Sequence, residues 1–300
     1  MSASRPTDDL ADASGAFAAV RRRLVGIAYR MLGSAAEAED VVQDAWLRWQ
    51  GADRSTVLDP TAFLITTTTR LAINQLQSAR ARRESYVGLW LPEPVDTTGD
   101  TAFGAEQGEA LELAVLILLE KLAPKERAAY VLREAFDYEY TAIAEILGIN
   151  EAHTRQLVTR ARKHIAEERR KQVSAGEQQR LLEAFIAAAQ RGDRAELEAL
   201  FASDVVSRSD GGGVVRVAPV PVVGRMQVAR FVASVASRFW DGVDVALVAT
   251  NGGTAAVLSR AGEPYGCLWL DVTEAGIEQI SWQLNPQKLG GVATAARRGM

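Results

Sequence analysis

Apolar positions recur at helical spacing through the first half of the chain and in short β-rich runs through the second. Phe17, Val20, Leu24, Ile27, Ala28 and Met31 form a first stripe that ends at Gly33. Ser34 follows as an N-cap, and Glu37 three residues on completes a capping box. The next stripe is Val41, Val42, Ala45, Trp46 and Trp49, with Asp40, Gln43, Asp44 and Arg48 on the opposite side. A third helix opens at Pro60, a residue suited to a first turn. It runs through Phe63, Leu64, Leu71, Ile73 and Leu76 to Arg83. Periodicity resumes at Glu106–Leu122, and Pro124 opens a further helix. After about Ser174, Leu181–Arg191, Arg194–Phe201 and Arg225–Phe239 read as helices. Val205–Ser209, Val214–Val223, Val243–Thr250, Thr254–Ser259, Gly266–Val272 and Ile277–Leu284 read as strands. Helices followed by antiparallel strands imply an α+β domain separate from the all-α part.

Between these halves, residues 84–104 read as a linker, because Pro92 and Pro94 bar a helix. Length adds only that 300 residues suit about two or three compact units. With 48% hydrophobic and 24% charged residues, the chain can bury real cores. The net charge of −4 requires any nucleic-acid site to be a local patch. The longest wholly apolar run is Ala114–Leu119, too short to span a membrane, and the polar N-terminus has no signal-peptide core. One cysteine, Cys267, excludes an intramolecular disulfide and fits a reducing cytosol, so a cytoplasmic location is expected. The two histidines, His153 and His164, share one helix, and neither a metal nor a cofactor is expected.

The most specific chemistry lies at residues 138–165. Tyr138–Leu147 and Glu151–Ile165 read as two helices joined by Gly148, Ile149 and Asn150, a helix-turn-helix. Its apolar positions are Ile143, Ala144 and Leu147, then Leu157, Val158 and Ala161. Arg155, Arg160, Arg162, Lys163, Arg169, Arg170 and Lys171 follow, against only Glu167 and Glu168 in that span. Such a helix is suited to enter a major groove by its first turns and neutralise phosphates with the rest. The bland alternative is a helical hairpin with a solvated basic face. Residues 60–83 contain no acid but carry Arg70, Arg80, Arg82 and Arg83. Hydroxyls and an amide suit base edges, with Thr66–Thr69 and Asn74 as candidates, and arginines suit phosphates. Gly211–Gly213 lacks a following Lys-Ser/Thr and is read as a turn needing positive φ rather than a phosphate loop.

In this order the motifs resemble a known family. Ala38–Trp49 resembles the core-polymerase-binding segment of bacterial RNA polymerase sigma factors. Residues 60–83 resemble the part that melts and reads the −10 element, and 106–171 the domain that reads the −35 element. With no intervening third domain, the layout is that of the extracytoplasmic-function group. Trp90-Leu-Pro-Glu-Pro94, Asp210-Gly-Gly-Gly213 and Asn285-Pro-Gln-Lys-Leu289 resemble a subgroup with a fused C-terminal SnoaL-like domain. The resemblance implies a multidomain chain: an all-α sigma region 2 over 12–84, a linker over 85–105 and an all-α region 4 over 106–172. A SnoaL-like α+β cone of cystatin-like fold would follow over 177–290.

It further implies roles. Asp40, Gln43, Asp44 and Arg48 would dock on the clamp helices of the largest polymerase subunit, and the flap of the second-largest subunit is a further expected contact. Phe63, Thr67, Arg70, Asn74 and Arg80 would serve the −10 DNA, although Phe63 also reads as a core residue. His153, Thr154, Arg155, Gln156, Thr159, Arg160 and Lys163 would serve the −35 DNA, with Arg155 suited to guanine or phosphate and Gln156 to adenine. Trp90, Leu91, Pro92, Glu93 and Pro94, with Asp210, Gly211, Gly212 and Gly213, would form interdomain regulatory contacts; the linker could equally be a spacer or thread toward the polymerase cleft.

The function expected is therefore promoter recognition and initiation with core RNA polymerase, modulated by the C-terminal domain, without enzymatic activity. A small-molecule ligand in that domain is a further candidate partner. The alternative is a helix-turn-helix module fused to a SnoaL-like enzyme or ligand-sensing domain. The C-terminal acids Asp204, Asp244 and Asp271, read as lying at strand edges or turns, have no evident partner base, and that domain contains no histidine.

Overall fold

A computed structural model describes residues 6–84, 86, 88–97, 112–168, 173–251 and 253–292. They fall into two compact units: residues 6–82 with 115–168, and residues 83–97 with 112–114 and 173–292. The domain boundaries expected at 85, 105, 106 and 172 lie outside the described residues.

The first unit is all helical. α1 (Pro6–Leu32) starts well before the apolar stripe and pairs with α2 (Ala35–Gln50). The Ser34 hydroxyl accepts a bond from the Glu37 amide at 3.3 Å, a cap worth about 1 kcal/mol. α3 (Pro60–Glu84) lies beyond a short 3-10 turn at Arg54–Thr56, and the Asp59 carboxylate accepts the amides of Thr61 and Ala62 at its start. α4 spans Leu113–Leu119, bounded by non-helical residues 112 and 120; of the helix expected over Glu106–Leu122, residues 106–111 lie outside the described residues.

α5 (Pro124–Phe136), α6 (Tyr140–Leu147) and α7 (Glu151–Glu168) pack as the predicted helix-turn-helix with its preceding helix. Gly148 closes α6 at φ 64°, and the Asn150 side chain caps α7 by accepting the His153 amide at 2.8 Å. All six predicted apolar positions from Ile143 to Ala161 are buried.

α1 and α5 cross closely enough to lock the two halves of this unit. Arg127, fully buried, donates from Nε to the Arg30 carbonyl at 2.9 Å and pairs with Glu120 at 2.5 Å. Arg30 in turn lies over the Phe136 ring at 5.1 Å. A Cβ on Gly26 would stand 3.2 Å from that ring and 3.1 Å from the Arg30 guanidinium, so the crossing favours glycine there.

The second unit wraps a six-stranded sheet around α8 (Ala175–Arg191), α9 (Arg194–Leu200) and α10 (Arg225–Phe239). Its strands are β1 (Phe201–Asp210), β2 (Val222–Val223), β3 (Val243–Thr250), β4 (Gly253–Arg260), β5 (Glu263–Thr273) and β6 (Gly276–Gln283), in the order β2-β1-β6-β5-β4-β3. The sheet is mixed, correcting the expectation of an antiparallel one: β1 and β6 run parallel, joined by everything between. The predicted strand over 214–223 reduces to Val222–Val223, because Gly212 and Gly213 hold positive φ and residues 211–221 form an irregular loop.

Alternation along the strands divides the faces. Ile280, Trp282 and Leu284 join Leu182, Phe185 and Val232 in the core under the helices. Ser281 and Gln283 turn to the other face.

Candidate functional site

Three helix faces in the first unit carry the predicted contacts. On α2, Asp40, Gln43, Asp44 and Arg48 are all exposed, while Val41, Val42, Ala45 and Trp49 are buried. Trp49 donates to the Ala13 carbonyl at 3.0 Å and Trp46 packs on Phe17 at 4.9 Å, so the tryptophans hold the helix rather than present it. Sequence reasoning missed Leu47, which is 56% exposed on this polar side. Its position one turn from Gln43 and Asp44 was the available signal.

α3 departs further from expectation. Phe63 lies 5.4 Å from the Trp49 ring and is half-buried, which favours the core role over a stacking wedge. Thr68 and Thr69 are buried and cannot present hydroxyls to bases, whereas Thr66 and Thr67 are half-buried and Asn74 is exposed. Arg70 donates from Nε to the Ile146 carbonyl at 2.9 Å and from its fork to the Glu145 carbonyl at 3.3 Å. It caps the end of α6 here instead of offering an open cation. The Arg80 side chain lies outside the described residues. Leu58, fully exposed just before α3, went unremarked in the sequence.

On α7, His153, Arg155, Gln156, Thr159, Arg160 and Lys163 are exposed along one side. Thr154 is not: it is wholly buried and its hydroxyl bonds the Asn150 carbonyl at 3.1 Å, so it braces the first turn instead of facing a groove. Arg155 is held by Glu151 at 2.6 Å and lies 4.3 Å over the Tyr140 ring. Its fork is thereby oriented before any partner arrives. Arg162 turns back to Glu134 at 2.7 Å.

The second unit brings the linker and the glycine turn together. Asp210 is fully buried. Its carboxylate accepts the Tyr86 hydroxyl at 2.6 Å, the Leu91 amide at 2.9 Å, the Gly212 amide at 3.0 Å and the Lys288 ammonium at 2.7 Å. Lys288 also donates to the Leu91 carbonyl at 2.8 Å and sits 4.3 Å over the Trp90 ring. Gln283 donates to the Leu91 and Pro92 carbonyls at 3.3 Å. Asn285 donates to the Tyr86 hydroxyl at 3.0 Å.

Burial and the Asp210 bond together push the Tyr86 hydroxyl well above its ordinary range, so it stays a donor. A Cβ on Gly212, already at φ 63°, would fall 2.4 Å from Asn285, which explains the glycine. Leu91, Pro92, Glu93 and Pro94 are buried, Trp90 is half-buried, and Val95–Thr97 pair with the end of β3. Gly213 is exposed at the tip of the turn, and Gly211 is buried with its carbonyl accepting the Val214 and Val215 amides.

Tyr86, Gln283, Asn285 and Lys288 had no assigned role in the sequence. Asn285 and Lys288 belong to the Asn285–Leu289 motif, Tyr86 and Gln283 to none, and only the folded chain brings the four to Asp210. Asp271 likewise corrects an expectation. It sits within β5, and desolvation, with repulsion from Glu112 and Glu278 against attraction from Arg208, pushes its carboxyl up to about 7. Among the described residues no cluster of three or more His, Cys, Asp or Glu side chains could hold a metal, and no helix is long and apolar enough to cross a membrane.

Comparison with known proteins matches these surfaces in chain order. Residues 16–82 match the model of Sigma-70 region 2, and residues 112–165 that of Sigma-70, region 4. The ECF RNA polymerase sigma factor SigJ of Mycobacterium tuberculosis is 36% identical over 234 residues, spanning 76% of this chain and 74% of the relative. A probable ECF RNA polymerase sigma factor, SigI, of the same organism is 36% identical over 184 residues, 60% of this chain and 63% of that one. The crystal structure of M. tuberculosis SigJ superposes with a TM-score of 0.73 at 31% identity, covering 91% of this chain and 96% of that chain. The likeness therefore takes in the C-terminal α+β unit as well as the helical one.

Proposed function

The chain belongs to the extracytoplasmic-function RNA polymerase sigma factors, subunits that direct core polymerase to promoters, and from that premise we propose how its surfaces divide the work. The α2 face of Asp40, Gln43, Asp44 and Arg48 docks on the clamp helices of the largest subunit, with Leu47 as the apolar contact among the charges. The helix-turn-helix unit meets the flap of the second-largest subunit and the −35 element, where α7 enters the major groove. Thr67, Asn74 and the arginines of α3 serve the −10 strand once Arg70 leaves the α6 carbonyls. The C-terminal unit acts on transcription through its hold on the linker, and a small molecule bound within it serves as effector.

The observation that carries the reading is α7: six polar or basic side chains are exposed on one side, Arg155 is preoriented, and the opposite side is buried in the helix-turn-helix core. A plain repressor with a sensing domain needs neither the acidic α2 face nor the acid-free residues 60–83 of α3.

The test is reconstitution of the full chain with core polymerase and a promoter library. Specific initiation is expected. Asp40→Lys with Asp44→Lys should weaken binding to core polymerase at least tenfold in a protein that still folds. Unchanged core affinity in that folded double variant removes the α2 assignment.

A further inference from the structure

The second unit contains a half-open cavity of about 320 Å³ between α10, the loop after the glycine turn and the core face of the sheet. That volume lies at the small end of the range for ligand pockets, about 300–1,000 Å³. One wall is aromatic: Trp282 packs edge-on against Phe239 at 5.4 Å, and Phe239 packs on Tyr265 at 5.4 Å. Its charged lining is of one sign. Arg216, Arg238 and Arg260 line the cavity and no carboxylate does. Arg260 is fixed there, donating to the Phe239 carbonyl at 3.1 Å and lying 4.4 Å over the Tyr265 ring. An apolar box edged by three cations suits a guest with an apolar body and an anionic end.

The cavity also shares its backbone with the linker contacts. Ser209 lines the cavity, while Asp210, the next residue, holds Leu91 and Lys288 on the opposite face. Trp282 and Leu284 line the cavity, while Gln283 between them bonds the linker carbonyls. The Asp210 carbonyl accepts the Leu284 amide at 2.8 Å, tying the two strands together at that point. Because strand neighbours face opposite sides, a guest that shifts Ser209 or Trp282 must move the residues that grip the linker.

We propose that this cavity binds a small organic carboxylate, its aromatic or aliphatic body against Trp282 and Phe239 and its carboxylate on the Arg216, Arg238 and Arg260 side, and that its occupancy is transmitted to the linker through β1 and β6. The proposal rests on the reading of this unit as regulatory and gives its effector a chemical class. It assigns binding alone and no reaction.

The experiment is calorimetric titration of the full chain with benzoate, 2-naphthoate and octanoate, each beside its neutral amide. At least one carboxylate should bind saturably at one site. Its amide should bind at least tenfold more weakly, and Arg216→Gln with Arg260→Gln should weaken the carboxylate at least tenfold. Both side chains are exposed, so the variant should keep the melting temperature of the parent. Saturation should also change amide hydrogen exchange over residues 89–97. Equal affinity for acid and amide overturns the charge class, the lack of saturable binding by any carboxylate at millimolar concentration overturns the site, and unaltered linker exchange at saturation overturns the transmission. None of these measurements involves polymerase, so their failure leaves promoter recognition standing.

Discussion

At the scale of single residues, burial determines what each ionisable group can do. Cys267 is fully buried, its thiol pushed up to about 12 by desolvation, so it is an inert packing residue rather than a redox sensor. Asp271 is shifted the same way, a carboxyl that burial and two like charges keep protonated toward neutrality. Its folded value near 7 exceeds its unfolded value near 3.8, so the folded state holds the extra proton between them. Stability contributed by this group is then present below about pH 4 and lost as pH rises toward 7. Asp271→Asn removes that dependence. In urea titrations the variant should match the parent near pH 4 and exceed it by about 2 kcal/mol near pH 8, after allowance for partial exposure. A parent whose stability relative to the variant does not change over that interval contradicts the assigned environment.

At the scale of elements, the helices of the first unit were readable because their signals are local. Ser34 with Glu37, Pro60, Pro124 and Gly148 mark termini, and stripes such as Val41–Trp49 mark buried sides. What escaped was decided by distant packing. Thr154 and Thr68 read as polar surface because a hydroxyl gives no clue to which side of a helix is covered; for Thr154 the packing of α7 on α5 and α6 determines that. Arg70 reads as a phosphate contact, yet its fork finds the α6 carbonyls 75 residues on. The parallel pairing of β1 with β6 was equally invisible, since register between strands some 70 residues apart leaves no periodic trace.

The same distinction sharpens the α7 assignment. If Arg155 reads a base, Arg155→Ala should cost about 1–3 kcal/mol on the cognate −35 sequence and little on scrambled DNA. Lys163→Ala should weaken all sequences alike and lower the salt slope by about one unit. Binding isotherms for polymerase reconstituted with each variant, across a salt series, check both. A uniform loss for Arg155→Ala makes it a phosphate contact.

At the scale of the whole molecule, the linker belongs structurally to the C-terminal unit, although it lies between the two sigma regions in sequence. The Asp210–Lys288 pair is central to that hold, a buried ion pair with five further bonds around it. Removing one partner strands the other charge, at a cost of about 3–5 kcal/mol. Asp210→Asn should therefore destabilise the C-terminal unit by that order in urea titrations, and Asp210→Asn with Lys288→Met by less than the sum of the single changes. In the reconstituted system Asp210→Asn should change transcription from the cognate promoter while leaving core binding intact. Promoter activity equal to that of the parent, at matched protein levels, would reduce the linker contacts to passive packing.

The distance in sequence between the gripping residues also imposes an order in time. Lys288 lies 197 residues beyond the Leu91 carbonyl it holds, and β6 must be present before β1 has its parallel neighbour. A ribosome adding about 5–20 residues per second needs roughly 10–40 s to cover that distance. For the part of that interval after α7 has been made, each newborn chain has both sigma regions translated and its linker ungripped. The grip on the linker is thus the last of these contacts that the growing chain can make, because it waits for Lys288.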